Sequence, residues 1–144
     1  MFTPRFPAGG NPGMRAGAFL WAPLAPPLIA ISLNRQSKML GKVQTSGRYA
    51  VNVLSQDMHL HALHFAGRPN DALADLFLDR HGLPILRNAA AVMLADVVQQ
   101  VETGDHVMFL GHVRHLDQDP DAAPLLFHAG QFGSLAAHRA DHAV

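Results

Sequence analysis

A chain of 144 residues with 49% apolar and 15% charged side chains fits one folded domain that buries roughly two-thirds of its unfolded surface. Its 11 basic and 11 acidic residues balance, so no positive field stands ready to neutralise a phosphate backbone, which argues against general nucleic-acid binding. Cysteine is absent, which removes disulfides, thiolate metal ligands and cysteine nucleophiles together and fits a reducing cytoplasm.

Residues 1–12 are rich in proline and glycine and read as loop or frayed terminus ahead of a domain spanning 13–135. Residues 16–33 carry no charge, but Pro23, Pro26 and Pro27 interrupt them. Each proline removes a backbone donor that lipid could not replace, so the stretch reads as soluble structure and not as a membrane span. Within it, Met14–Trp21 predicts a strand, Pro23–Pro27 a turn and Leu28–Leu33 a strand buried on both faces. From Gln36 the spacing becomes helical, with Met39, Leu40 and Val43 on one side and a stop at Ser46-Gly47. Tyr49–Leu54 is β-rich. Ser55 is a good N-cap for a helix carrying Met58, Leu60, Leu63 and Phe65 to Gly67.

Asn70–Arg80 predicts a weaker helix, followed by a loop through Gly82 and Pro84. Ala91–Glu102 predicts a long strand, Thr103-Gly104-Asp105 a turn and His106–Leu116 its return partner. A polar loop, Asp117–Pro124, precedes a short strand at Leu125–His128, and residues 136–144 read as a loose tail. The sum is mainly β with short helices and no repeat of fixed period, which favours a small closed or partly closed barrel.

The turn Asn34-Arg35-Gln36-Ser37 leads from a buried strand into a helix, a place suited to an anion held by clustered amides and a helix N-terminus. An equally simple reading leaves Ser37 as a helix cap and Arg35 solvated. The ten histidines invite a metal hypothesis. His61 and His64 lie three apart on a helix, whereas the same offset in a strand puts His112 and His115 on opposite faces. No HExxH is present, so no metal site is expected. A nucleophile elbow, a P-loop and a GxGxxG turn are also missing, and Asp96 and Glu102 read as surface charges.

Five ordered stretches, GMRAGAF (13–19), PPLIAISLNRQSKML (26–40), SGRYAVNVLSQDMHLHALHFAGR (46–68), GDHVMFLGHV (104–113) and PLLFHAGQF (124–132), together resemble the flavin reductase-like family. The resemblance implies an FMN-binding split β-barrel of Greek-key type that forms homodimers, here without the family's usual N-terminal helix and first strand. It implies an NAD(P)H:flavin oxidoreductase that uses FMN, with FAD as the alternative, and NADH or NADPH as co-substrate. Reduced flavin would pass to a monooxygenase component.

By the same resemblance His106 lies near the nicotinamide as the catalytic position. The cofactor-binding positions are Gly17, Ala18, Ser32, Asn34, Arg35, Ser37, Ala50, Val51, Asn52 and His128. Arg35 and Ser37 would face the flavin phosphate, and Ala50, Val51 and Asn52 would lie along the ring. His128 would touch the flavin or the dimer partner.

The family's Thr-Ala-Ser-Ser-Phe stands here as Arg15-Ala16-Gly17-Ala18-Phe19, without hydroxyls. Each lost bond to a charged phosphate costs about 1.5–3 kcal/mol, roughly tenfold to a hundredfold in affinity. The competing expectation is therefore an N-terminally shortened, non-catalytic flavin-binding barrel that depends on dimerisation or on a partner chain. A missing first strand would also leave an unpaired edge near residues 16–33, with Phe19, Leu20, Trp21 and Leu24 beside it.

Overall fold

The computed structural model describes residues 2–4, 19–24 and 26–136. Among them the chain runs through strands β1 (Phe2–Pro4), β2 (Phe19–Leu24) and β3 (Pro27–Asn34) into helix α1 (Lys38–Ser46), then β4 (Arg48–Val53). A 3₁₀ turn at Gln56–Met58 leads into α2 (His59–Phe65), followed by the hairpin of β5 (Phe77–Arg80) and β6 (Leu83–Leu86). The long pair β7 (Ala91–Thr103) and β8 (His106–Gln118) precedes a last small hairpin, β9 (Leu126–His128) and β10 (Gln131–Gly133).

Six strands make one antiparallel sheet in the order β1-β4-β7-β8-β3-β2. Its central strands carry branched or large apolar residues at alternate positions, which a pleated, two-sided surface accommodates. One face gathers Ile29, Ile31, Leu33, Tyr49, Val51, Met93, Ala95, Val107 and Phe109 beneath Met39 and Val43 of α1. The other face packs Ala50, Val92 and Leu94 against Leu83 and Ile85 of β6. Over β4 and β7 the sheet is therefore covered on both sides, which is why those strands bury consecutive residues.

Several elements differ from expectation. Residues 2–4 form β1 and pair with β4, Phe2 facing Val51, so that flank of the sheet is covered. β2 pairs with β3 at the opposite end of the strand order, so Phe19–Leu24 do not lie beside the edge that was expected to be bare. Residues 23 and 24 belong to β2 and Pro27 opens β3, so neither end of the expected 23–27 turn lies in a turn.

Asn70–Arg80 is not a helix. Its last four residues are β5, and the β5–β6 turn places both His81 (φ 51°) and Gly82 (φ 77°) in the left-handed region. That is the backbone of a two-residue hairpin, which no helix accommodates. Ser55 makes no capping bond and bridges to Pro124 instead. β10 was not anticipated; it returns along β9 through Ala129 and Gly130, both with positive φ. No helix among the described residues is long and apolar enough to cross a membrane.

Candidate active site

The β3–α1 junction and the β7–β8 turn meet at one end of the sheet. Register dictates the meeting: Asn34, the last residue of β3, faces His106 on β8, and His106 faces Thr103 on β7. Gly104 closes the turn with φ 61°, a conformation that costs glycine little. The Arg35 amide donates to the Asp105 carbonyl at 2.9 Å, and Arg35 Nε donates to the Gly104 carbonyl at 2.9 Å. Arg35 Nη2 also pairs with the Glu102 carboxylate.

Local hydrogen bonds shape the junction itself. Asn34 Oδ1 accepts from the Gln36 amide at 2.8 Å, and its carbonyl accepts from the Ser37 amide at 2.9 Å. Ser37 Oγ accepts from the Met39 amide at 3.1 Å, so this serine is the cap of α1. Beside them His106 Nδ1 lies 2.8 Å from Asp105 Oδ1. The arrangement gathers Asn34, Arg35 and Ser37 with Asp105 and His106. Ser32 lies two residues before Asn34 on β3, half-buried and opposite Met108.

Arg35 and Glu102 form an ion pair within this cluster. Glu102 raises the Arg35 pKa further above its ordinary value, and Arg35 in turn holds the Glu102 carboxyl below the usual carboxylate range. The hydrogen bond from His106 holds Asp105 low as well. These groups are well exposed, so water screens their contribution to stability.

The remaining candidate residues lie elsewhere. Ala50 faces Leu94, nine residues along β7 from Thr103, or roughly 30 Å of extended strand. Ala50, Val51 and Asn52 are all buried, and Asn52 Oδ1 accepts from the Leu86 amide at 2.8 Å, tying β4 to β6. The side chains of this trio are therefore committed to the core. His128 is exposed on β9, opposite Gln131. Gly17 and Ala18 lie outside the described residues.

Sequence reading missed Glu102 as a member of the cluster. Its pairing with Arg35 across 67 positions depends on strand register, which no local pattern announces. The expected placement of His112 and His115 on opposite faces is also corrected. Leu94 faces His115 while Ala95 faces Val113, so Arg114 is an extra, bulged residue. His112 faces Asp96, two residues from Leu94, and the bulge thus returns both histidines to one face. There Asp96 accepts from Arg48 Nε at 3.1 Å and Arg114 Nε at 3.0 Å, and His115 packs edge-on against His81. Among the described residues no group of three potential ligands is placed to hold a metal.

Comparison with known proteins agrees with this architecture. Residues 3–136 match the family model described as a flavin reductase like domain. An NADH-dependent flavin reductase from a Rhodococcus species is 37% identical over 123 residues, covering 85% of this chain and 69% of that protein. The reductase component of a 4-hydroxyphenylacetate 3-monooxygenase from Thermus thermophilus is 29% identical over 115 residues, covering 80% of this chain and 73% of that protein. Among solved structures, the flavin reductase PheA2 in its native state superposes with a TM-score of 0.83 at 36% identity, over 95% of this chain and 92% of that one. The fold is the split barrel of these reductases, and the chain belongs to the flavin reductase-like family.

Proposed function

We propose that this chain is an NAD(P)H-dependent flavin reductase that supplies reduced flavin to a monooxygenase component. The observation that carries the reading is the meeting of Arg35 and the α1 start with the Asp105–His106 pair at one end of the sheet. One side of that cluster suits an anion, and the other presents an imidazole.

The residues fit a flavin phosphate. Arg35 uses Nε and one Nη2 hydrogen within the protein, which leaves three of the five guanidinium N–H groups for a ligand. The Lys38 amide opens α1 and has no intrahelical acceptor, and the helix dipole favours negative charge at that end. When bound, the flavin supplies the hydride acceptor and the nicotinamide the donor. The protein then has two tasks: to seat the phosphate at Arg35 and to orient the nicotinamide beside His106, whose imidazole is held by Asp105.

FMN is favoured over FAD because the cluster described needs a single phosphate, and NADH is favoured as co-substrate by the Rhodococcus relative. A monooxygenase partner follows from the Thermus relative's place in a two-component system. Homodimerisation is what the resemblance to the flavin reductase-like family implies for this chain. A cytoplasmic setting follows from the need for reduced nicotinamide.

Titration of FMN into the purified protein tests the site. Quenched flavin fluorescence or raised anisotropy is expected, and no change at high micromolar protein would overturn the reading.

A further inference from the structure

The Arg35 guanidinium faces a carboxylate of this chain's own, although the proposed ligand is a dianion. Glu102 occupies Nη2, so an incoming phosphate must share Arg35 with it or displace it. Orienting Arg35 is not the reason for that carboxylate. The Gly104 carbonyl at Nε and the Asp105 carbonyl at the Arg35 amide already fix the residue, both at 2.9 Å. Stability is not the reason either. Glu102 is 64% exposed and lies on the outer half of β7, past the last β4 pairing at Asp96, where a surface ion pair contributes little.

Resting on the flavin-reductase reading, we propose that Glu102 is a specificity and exchange residue that competes with the flavin phosphate for Arg35. With flavin absent, the carboxylate holds the guanidinium. With flavin present, its negative charge opposes the dianion and shortens the stay of phosphate-bearing flavin. The device suits a reductase whose reduced flavin has to leave. It also narrows the preference for FMN over riboflavin, which has no phosphate and does not contend for Arg35.

Dissociation constants for FMN and riboflavin, read from flavin fluorescence at low ionic strength, test the proposal in wild type, Glu102→Gln and Glu102→Ala. Each variant is expected to bind FMN about three- to tenfold more tightly, with slower FMN release, because one opposing charge is gone. Riboflavin affinity should stay within about twofold in both, since a neutral ligand feels neither term. In an Arg35→Ala background the FMN gain from Glu102→Gln should shrink to less than half, as expected of coupled neighbours. Two Glu102 variants that melt cooperatively yet bind FMN no better than wild type would overturn the competition. A wild-type protein that binds neither flavin would overturn the flavin reading itself, a distinct result.

Discussion

The Tyr49 hydroxyl occupies the space that a side chain on Gly111 would need. From β4 the ring passes over Ala95 of β7 and Gly111 of β8, and its hydroxyl donates to the Ile29 carbonyl of β3 at 3.0 Å. One side chain thus braces four neighbouring strands. A Cβ on Gly111 would stand 2.8 Å from the ring Cζ and 2.8 Å from the Ala95 Cβ, too close for either to keep its place. Burial also pushes the Tyr49 phenol well above its ordinary pKa, so it stays a donor at any working pH.

Gly111→Ala should therefore lower stability by about 1–3 kcal/mol through overpacking. Tyr49→Phe should cost a similar ~1–3 kcal/mol through the lost buried bond. Urea unfolding checks both. Because the two residues touch, the double variant should fall short of the sum of the singles.

Asn52 provides a second test of structure against binding. Its amide carbonyl is the acceptor for the buried Leu86 N–H, so Asn52→Ala should cost about 1–3 kcal/mol. FMN affinity of the folded protein should change by no more than about threefold, or under about 0.7 kcal/mol, because the Asn52 side chain is committed to the core and lies away from the Arg35–His106 cluster. A large loss of affinity with unchanged stability would place the Asn52 side chain on the flavin.

His61 should make folding sensitive to mild acid. It lines a cavity of about 430 Å³ between α2 and the Asp75–Asn88 region, and its Nδ1 is buried without a partner. Burial first, and then the neighbouring His64 and His59, lower its pKa below the ordinary histidine value. The unfolded chain therefore takes up the proton more readily than the folded one, and stability falls as pH drops through the unfolded pKa of about 6.5. Urea midpoints at successive pH values between neutral and mildly acidic should decline, and His61→Gln should flatten the decline.

Arg35 should discriminate between flavins. Removing the guanidinium is expected to weaken FMN by about tenfold to a hundredfold, the range for a lost charge-assisted bond, while riboflavin changes little. Equal losses for both ligands would mean that Arg35→Ala acts on the β7–β8 turn it braces and not on a phosphate.

The elements with regular spacing were legible in the sequence. The β7–β8 hairpin follows from two alternating runs around Thr103-Gly104-Asp105, and α1 from the Met39/Val43 stripe ending at Gly47, which adopts φ 63°. The Asn70–Arg80 stretch misled because Leu73, Leu76 and Phe77 fall at helical spacing. Its structure is set by packing of Leu76 and Phe77 against Met58, Phe65 and Leu86, and by a His-Gly turn that lacks the usual Asn-Gly signal. Position in the candidate site was legible from local pattern at Asn34–Ser37, and at His106 through the family resemblance. The Arg35–Glu102 pair and the Arg114 bulge depend on register across strands, which single-residue patterns do not encode.

Oxidation of NADH as a function of added FMN, in wild type and His106→Ala, tests the central claim most directly. Wild type should oxidise NADH at a rate that saturates with flavin and vanishes without it. His106→Ala should retain FMN affinity within a few-fold while kcat falls by about tenfold to a hundredfold, the effect of a misplaced nicotinamide. Wild type that binds FMN but oxidises NADH no faster than free flavin does would contradict the account and leave a flavin-binding barrel without turnover.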